Sequence, residues 1–351
     1  MSRRVQAGLF VLFFVALIAP AAAQTRLFRD SSEIQIVFEA PMGALVRNAP
    51  RSTDQYPAVA TITTGGAPER FNIQLGAGGL SRRTGGICTF PPLRLNFHGA
   101  ATRGTIMQGQ SRLKLVTRCR NPAAYEQLTV LEYTAYRLYN QITPLSFRVR
   151  PARVTYRDTD GRRREETQFN FLIEDVDDVA HRNNRVALEL PDNGVPSSGL
   201  DPQAATNFAL FAFMIGNLDW DMVNSNAGQE CCHNSKLMAA TQQTRIAVAA
   251  VPYDFDYSGF VNAPYALPPD GLGVANVRVR LYRGYCRYND QLPAAVARFR
   301  TQREALLAVI ANETRLSQSS RNSARDYIQS FFAILDDPQR YQHQIVERCR
   351  R

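Results

Sequence analysis

Apolar and polar positions alternate through the first half of the chain and fall at helical spacing through much of the second. Residues 33–40, 56–63 and 71–75 alternate in the manner of half-buried strands, with the polar stretch 47–55 as a loop between the first two. Residues 93–97 and 112–117 add two further strands. Residues 147–157 and 167–174 read as a hairpin across the turn sequence Asp158-Thr-Asp-Gly161. After Pro122 the period changes. Tyr125, Leu128, Leu131, Ala135, Leu138 and Ile142 line one face of a helix running to about residue 141. Residues 204–215 are nearly all apolar, as in a buried helix, and 245–251 form an apolar strand. Helical patterns occupy 293–311, 317–335 and 338–348. A mostly β half followed by a mostly helical half predicts an α+β chain in two lobes, with the polar stretch 182–202 as a hinge.

Composition adds a compartment and a core. Arg3 and Arg4, the apolar run 7–19 and Pro20-Ala-Ala-Ala23 make the three-part pattern of a secretory signal cleaved near Ala23, so the mature protein is expected in the periplasm or outside the cell. That run is shorter than the roughly 20 residues needed to span a bilayer, and no second candidate follows, so no transmembrane span is expected in the mature form. A hydrophobic content of 45% supports a sizeable core. The formal charge of +10 is dispersed along the chain, which favours anionic ligands but lacks the aromatic-interleaved basic patch of a nucleic-acid binder.

Cys88, Cys119, Cys231, Cys232, Cys286 and Cys349 suggest disulfides in an exported protein, with the adjacent Cys231 and Cys232 expected to bond to different partners. Zinc held by Cys231, Cys232 and His233 is a rival that lacks a second ligand pair at a familiar spacing.

The candidate chemistry lies in two loops. Gly216-Asn-Leu-Asp-Trp-Asp-Met-Val-Asn224 follows the buried helix and sets Asp219 five positions before Asn224; Asp221 and Asn226 repeat the interval, so the register stays open. Pro252-Tyr-Asp-Phe-Asp-Tyr-Ser-Gly259 drops Asp254 and Asp256 at the end of an apolar strand. Two carboxylates flanking Phe255 repel each other unless a cation or basic group lies between them, and a metal ion or one of the many arginines meets that need. Lys114 and Lys236 are the only lysines, and Lys114 lies inside a strand. A strand lysine followed by a helix carboxylate, Glu126 or Glu132, can position nucleotide phosphates or form a surface ion pair. Gly76-Ala-Gly-Gly79 and Gly85-Gly86 can cover phosphates or turn an ordinary hairpin.

Taken in order, Lys114, Leu172-Ile173-Glu174, Gly216 to Asn224 and Tyr253 to Asp256 resemble the atypical kinases typified by the spore-coat protein CotH, over roughly residues 71–288. The resemblance implies a kinase-like α+β fold with a β-rich N-lobe, a helical C-lobe and extra C-terminal helices. On that reading residues 1–23 are the signal peptide, 24–66 N-terminal strands and a linker, 67–180 the N-lobe with its hinge, 181–290 the C-lobe with the catalytic and metal loops, and 291–351 a helical segment. It further implies phosphoryl transfer from ATP or another nucleotide to a protein or small-molecule acceptor, with Mg2+ or Mn2+. Lys114 would contact phosphates, with Glu132 and Glu174 completing the nucleotide site. Asp219 would orient or deprotonate the acceptor, and Asn224 with Asp254 would hold the metal, Asp256 being the competing ligand.

Other classes compete. Such kinase loops often carry Arg-His after the Asp, where this chain has Trp220-Asp221, and ATP is scarce outside the cytoplasm; a catalytically inactive secreted binding protein answers both points. An Asp-x-Asp-type phosphatase or glycosyltransferase fits the second loop but not the order of elements around it.

Overall fold

The computed structural model describes residues 25–83, 86–191, 193–225 and 229–351; the predicted signal segment therefore lies outside the described residues. From β1 (Ile34–Ala40) the chain passes through the short helix α1 (Met42–Asn48) into the meander β2 (Gln55–Thr63), β3 (Glu69–Ala77), β4 (Leu93–Asn96) and β5 (Arg112–Val116). The helix α2 (Ala123–Ile142) follows, then the hairpin β6 (Val149–Asp158) and β7 (Glu166–Ile173). These strands close into a barrel in the order β1-β2-β3-β4-β5-β7-β6. All neighbours are antiparallel except the closing pair, where β1 runs parallel to β6 and Ile34 faces Ala152.

This closure corrects the expected two-lobed kinase-like architecture. An N-lobe of that kind is an open sheet with free edges; here the first strand pairs on both sides, so the sheet has no edge left and forms a closed mixed barrel instead. Strand alternation explains how the barrel is filled. Ile34, Ile36, Phe38 and Ala40 of β1 point inward to Ala152, Val154 and Tyr156 of β6 and to Leu172 of β7. The neighbours Phe169, Phe171 and Ile173 point the other way, into a second and larger core.

That second core is helical. The helix α3 (Val176–Arg182) leads to β8 (Val186–Ala187), then α4 (Pro202–Ile215), β9 (Ser235–Ala239) and β10 (Ala249–Pro252), with β10-β9-β8 forming a small sheet. The strand expected at 245–251 starts later because Ala247 takes a left-handed backbone, φ 53°. The helices α5 (Leu292–Thr301), α6 (Arg303–Ala311), α7 (Gln318–Leu335) and α8 (Pro338–Gln344) complete the chain, the pattern read as one helix over 293–311 breaking at Gln302. Helix α2 belongs to this second core and covers the outer face of β7, its Tyr133 and Tyr136 packing on Phe171.

Disulfides link Cys88 to Cys119, Cys286 to Cys349, and Cys231 to Cys232. The last corrects the expectation of separate partners: Cys231 and Cys232 are both buried and bonded to each other, and the other four cysteines pair among themselves. Such bonds fit a protein exported to an oxidising compartment. Among the described residues no helix is long and apolar enough to cross a membrane.

Candidate functional site

The two loops singled out by sequence meet where the barrel abuts the helical core. Helix α4 ends at Gly216, whose φ of 64° lets the Gly216 and Asn217 amides cap the last carbonyls of the helix. A Cβ there would lie 2.1 Å from the Tyr327 hydroxyl, so only glycine fits. The chain then delivers Asp219. Its Oδ1 lies 2.7 Å from His233 Nε2, and Asn234 Nδ2 donates to its Oδ2 at 2.9 Å and to its carbonyl at 2.7 Å. Trp220 turns inward against Phe208, donating its indole N–H to the Asn217 carbonyl. Asp221 accepts the amides of Val223 and Asn224 and pairs with Arg350 at 3.1 Å. The Trp220-Asp221 departure is therefore one buried packing residue and one loop brace, and Asp219 is the carboxylate left facing the site.

Strand β10 delivers the second loop. Asp254 adopts φ 64°, a left-handed conformation that costs a non-glycine residue on the order of 1 kcal/mol or more and that clusters at functional sites. Tyr136 of α2 holds it by accepting the Asp254 amide at 2.8 Å. Asp254 Oδ1 meets Lys114 Nζ at 3.1 Å, and both side chains keep about a quarter of their surface open, 28% and 26%, so a ligand can reach them. Asp256 and Glu132 lie deeper. Glu132, Asp254 and Asp256 each present an oxygen within 4.8 Å of the others, the only such group of metal-competent side chains among the described residues. Glu132 Oε1 is buried without a hydrogen-bond partner.

Electrostatics follows from that crowding. Burial, then the neighbouring Asp254, pushes Asp256 up to about 6. Burial, then Asp256, pushes Glu132 up to about 8. Burial also opposes ionisation of Asp254, but Lys114 and Arg82 outweigh it and hold its carboxyl below the usual range. The hydrogen bond to Asp219 raises His233 against its own desolvation, with Asp254 adding to the effect. The Tyr253 amide donates to the Asn234 carbonyl at 3.2 Å, which ties the Asp219–His233–Asn234 group to the residue before Asp254. Three converging carboxylates, two of which hold protons they would ordinarily release, fit a divalent cation by donor type and by the unfilled Glu132 oxygen.

Of the residues expected from sequence, Lys114, Glu132, Asp254 and Asp256 come together, with Asp219 alongside. Lys114 bonds to Asp254 rather than to Glu132. Glu174 does not join: its carboxylate is buried against Arg182, with bonds of 3.0 Å from both Nε and Nη2, and accepts the Arg148 amide at 2.9 Å. Asn224 stays on the exposed side of its loop, its carbonyl accepting the His233 amide and its own amide bound to Asp221. Sequence reading missed three contributors. Arg82 is one of many arginines, and only its place after the glycine run Gly76-Ala-Gly-Gly79 marks it. His233 entered only as a rival zinc ligand beside Cys231 and Cys232, and Asn234 next to it carries no periodic signal. No protein-family model matches the chain, and no curated protein matches it either.

Proposed function

We propose that the protein is an exported, metal-dependent phosphotransferase that moves a phosphoryl group from a nucleotide such as ATP to a hydroxyl of a protein or small molecule in the periplasm or outside the cell. The observation that carries this reading is the convergence of Glu132, Asp254 and Asp256 within 4.8 Å of one another, with Lys114 on Asp254 and the Asp219–His233 pair beside them. Phosphoryl transfer asks for a metal site, a cation for the phosphates and a carboxylate for the acceptor, with little covalent work by the protein. The motif resemblance to the CotH-type kinases supports the roles of Lys114, Asp219 and Asp254, though on a different scaffold and with Glu132 and Asp256, rather than Asn224, beside Asp254 at the metal.

Glu132, Asp254 and Asp256 would hold Mg2+ or Mn2+, which supplies charge neutralisation on the phosphate oxygens. Lys114 binds those oxygens from the barrel side as a mobile point charge. Asp219, kept in place by His233 and Asn234, accepts the proton of the acceptor hydroxyl as its oxygen bonds to the terminal phosphorus. The bond from that phosphorus to the bridging oxygen breaks, and Lys114 meets the charge left on the nucleoside diphosphate. The test is calorimetric titration of the purified protein with ATP and Mg2+ or Mn2+, with phosphate transfer to itself or a generic protein acceptor measured in parallel, alongside Lys114→Ala and Asp254→Ala. Binding without transfer would make it a nucleotide-binding protein; absence of both sinks the reading.

A further inference from the structure

Arg82 is buried in the same site, yet it is poorly matched to the groups around it. It stands between β3 and β4 with a side chain only 7% exposed. Its Nη2 donates to the Thr117 carbonyl at 2.5 Å, but Nη1 reaches Glu132 Oε2 only at 3.5 Å. Its Nε lies 3.9 Å from Asp256 Oδ2 and has no hydrogen-bond partner at all. Arg150 and Arg321 also leave Nε without a partner, but their other nitrogens make close bonds, Arg150 to the Asp30 carbonyl at 2.7 Å and Ser32 at 2.9 Å, Arg321 to the Leu316 carbonyl at 3.0 Å; Arg82 meets both of its carboxylates only at long range. Arg315 grips Glu313 at 2.6 and 2.7 Å, and Arg182 grips Glu174 at 3.0 Å from two nitrogens. A buried guanidinium with an idle donor, next to a buried carboxylate with an idle oxygen, is a pair in which each group has a better partner elsewhere.

We propose that Arg82 is a phosphate-binding residue that occupies the metal's carboxylates until nucleotide arrives, and so makes metal and nucleotide binding cooperative. This rests on the phosphotransferase reading above. A cation on Glu132 and Asp256 competes with the Arg82 guanidinium for the same oxygens, so metal alone binds against a resident positive charge. A nucleotide phosphate offers the planar Arg82 fork two oxygens for a bidentate contact and draws it off the carboxylates, and each ligand thereby lowers the cost of binding the other. Asp256 also accepts the Tyr265 hydroxyl at 3.0 Å.

The test is calorimetric titration with Mn2+, alone and with a saturating non-hydrolysable ATP analogue, for the native protein, Arg82→Gln and Arg82→Lys. In the native protein the analogue tightens Mn2+ binding about tenfold. Arg82→Gln binds Mn2+ alone at least as tightly as the native protein and loses the tenfold gain. Arg82→Lys, which keeps the charge without the fork, retains less than half of the gain in logarithmic terms and serves as the readout should Arg82→Gln fail to fold. A gain that is absent in the native protein, or intact in either variant, overturns the role of Arg82 alone. A native protein that binds neither Mn2+ nor the analogue takes the phosphotransferase reading down with it.

Discussion

Lys114 and Asp254 meet at 3.1 Å across the seam between the barrel and the helical core, joining a barrel strand to the loop that follows β10. The ion pair ties the position of the phosphate-side cation to that of a metal-side carboxylate. Replacing Lys114 by Met leaves the Asp254 carboxylate in its recess without its nearest countercharge. The expected cost is about 1–3 kcal/mol of unfolding free energy in the absence of ligand. Nucleotide affinity should fall at least about tenfold, the equivalent of about 1.4 kcal/mol. Chemical denaturation and nucleotide titration of Lys114→Met check both, and an unchanged nucleotide affinity removes Lys114 from the site.

The raised carboxyls give a pH dependence of defined sign. Glu132 at about 8 and Asp256 at about 6 keep protons in the folded state that the unfolded chain has already released, so this contribution to stability is lost as pH rises toward those values. His233, also raised, acts in the same direction. A divalent cation takes the place of those protons. The ligand-free Tm should therefore drop between about pH 5 and about pH 8, while the rise in Tm on adding Mn2+ grows over the same interval. Glu132→Gln should flatten the Mn2+ effect and isolate the carboxyl contribution from that of His233. An Mn2+ shift of equal size at both ends of the range would exclude these carboxylates as ligands.

Asp219→Asn keeps the size of the side chain but cannot take a proton. Transfer should slow by about 10²- to 10⁴-fold with nucleotide affinity unchanged. His233→Gln should cost less, because Asn234 still holds Asp219 by two hydrogen bonds. Single-turnover transfer assays on the two variants decide it: equal losses would mean that His233 itself handles the proton.

The Cys286–Cys349 disulfide closes a loop with a sequence separation of 63. Around it the Arg350 amide donates to the Gly284 carbonyl at 2.7 Å, the Cys286 amide donates to the Arg350 carbonyl at 2.8 Å, and the Arg350 side chain holds Asp221. The double variant Cys286→Ala, Cys349→Ala should lose about 2–4 kcal/mol and reduce transfer by loosening the loop that carries Asp219. A denaturation midpoint matching that of the native protein would contradict this.

The sequence was most informative where neighbours along the chain decide the structure. Alternation in 33–40 and 56–63 located two barrel strands, and the 3.6-residue period after Pro122 located α2, because each pattern reports which face of its own element is buried. Barrel closure was not legible: the β1–β6 ladder joins segments separated by six other elements, and nothing within residues 34–40 says which strand lies on the far side. The site divides the same way. Asp219, Asp254 and Asp256 stand out because carboxylates at the ends of apolar elements have no packing reason to be there. Arg82 and His233 matter only through what the fold sets beside them, and Glu174, chosen through the motif resemblance, is instead held by Arg182.

The parallel closing ladder also constrains how the chain can be made. Until residues 149–158 arrive to cover it, β1 presents a full unpaired edge between Ile34 and Ala40, four of whose seven side chains are apolar and buried in the finished barrel. Any fragment that stops short of β6 carries that edge into solvent, where it templates pairing with other copies. Truncations from the C-terminal side should therefore gain in aggregation when β7 is removed, which opens the barrel, and again when β6 is removed and bares β1, steps separate from the loss of the helical core.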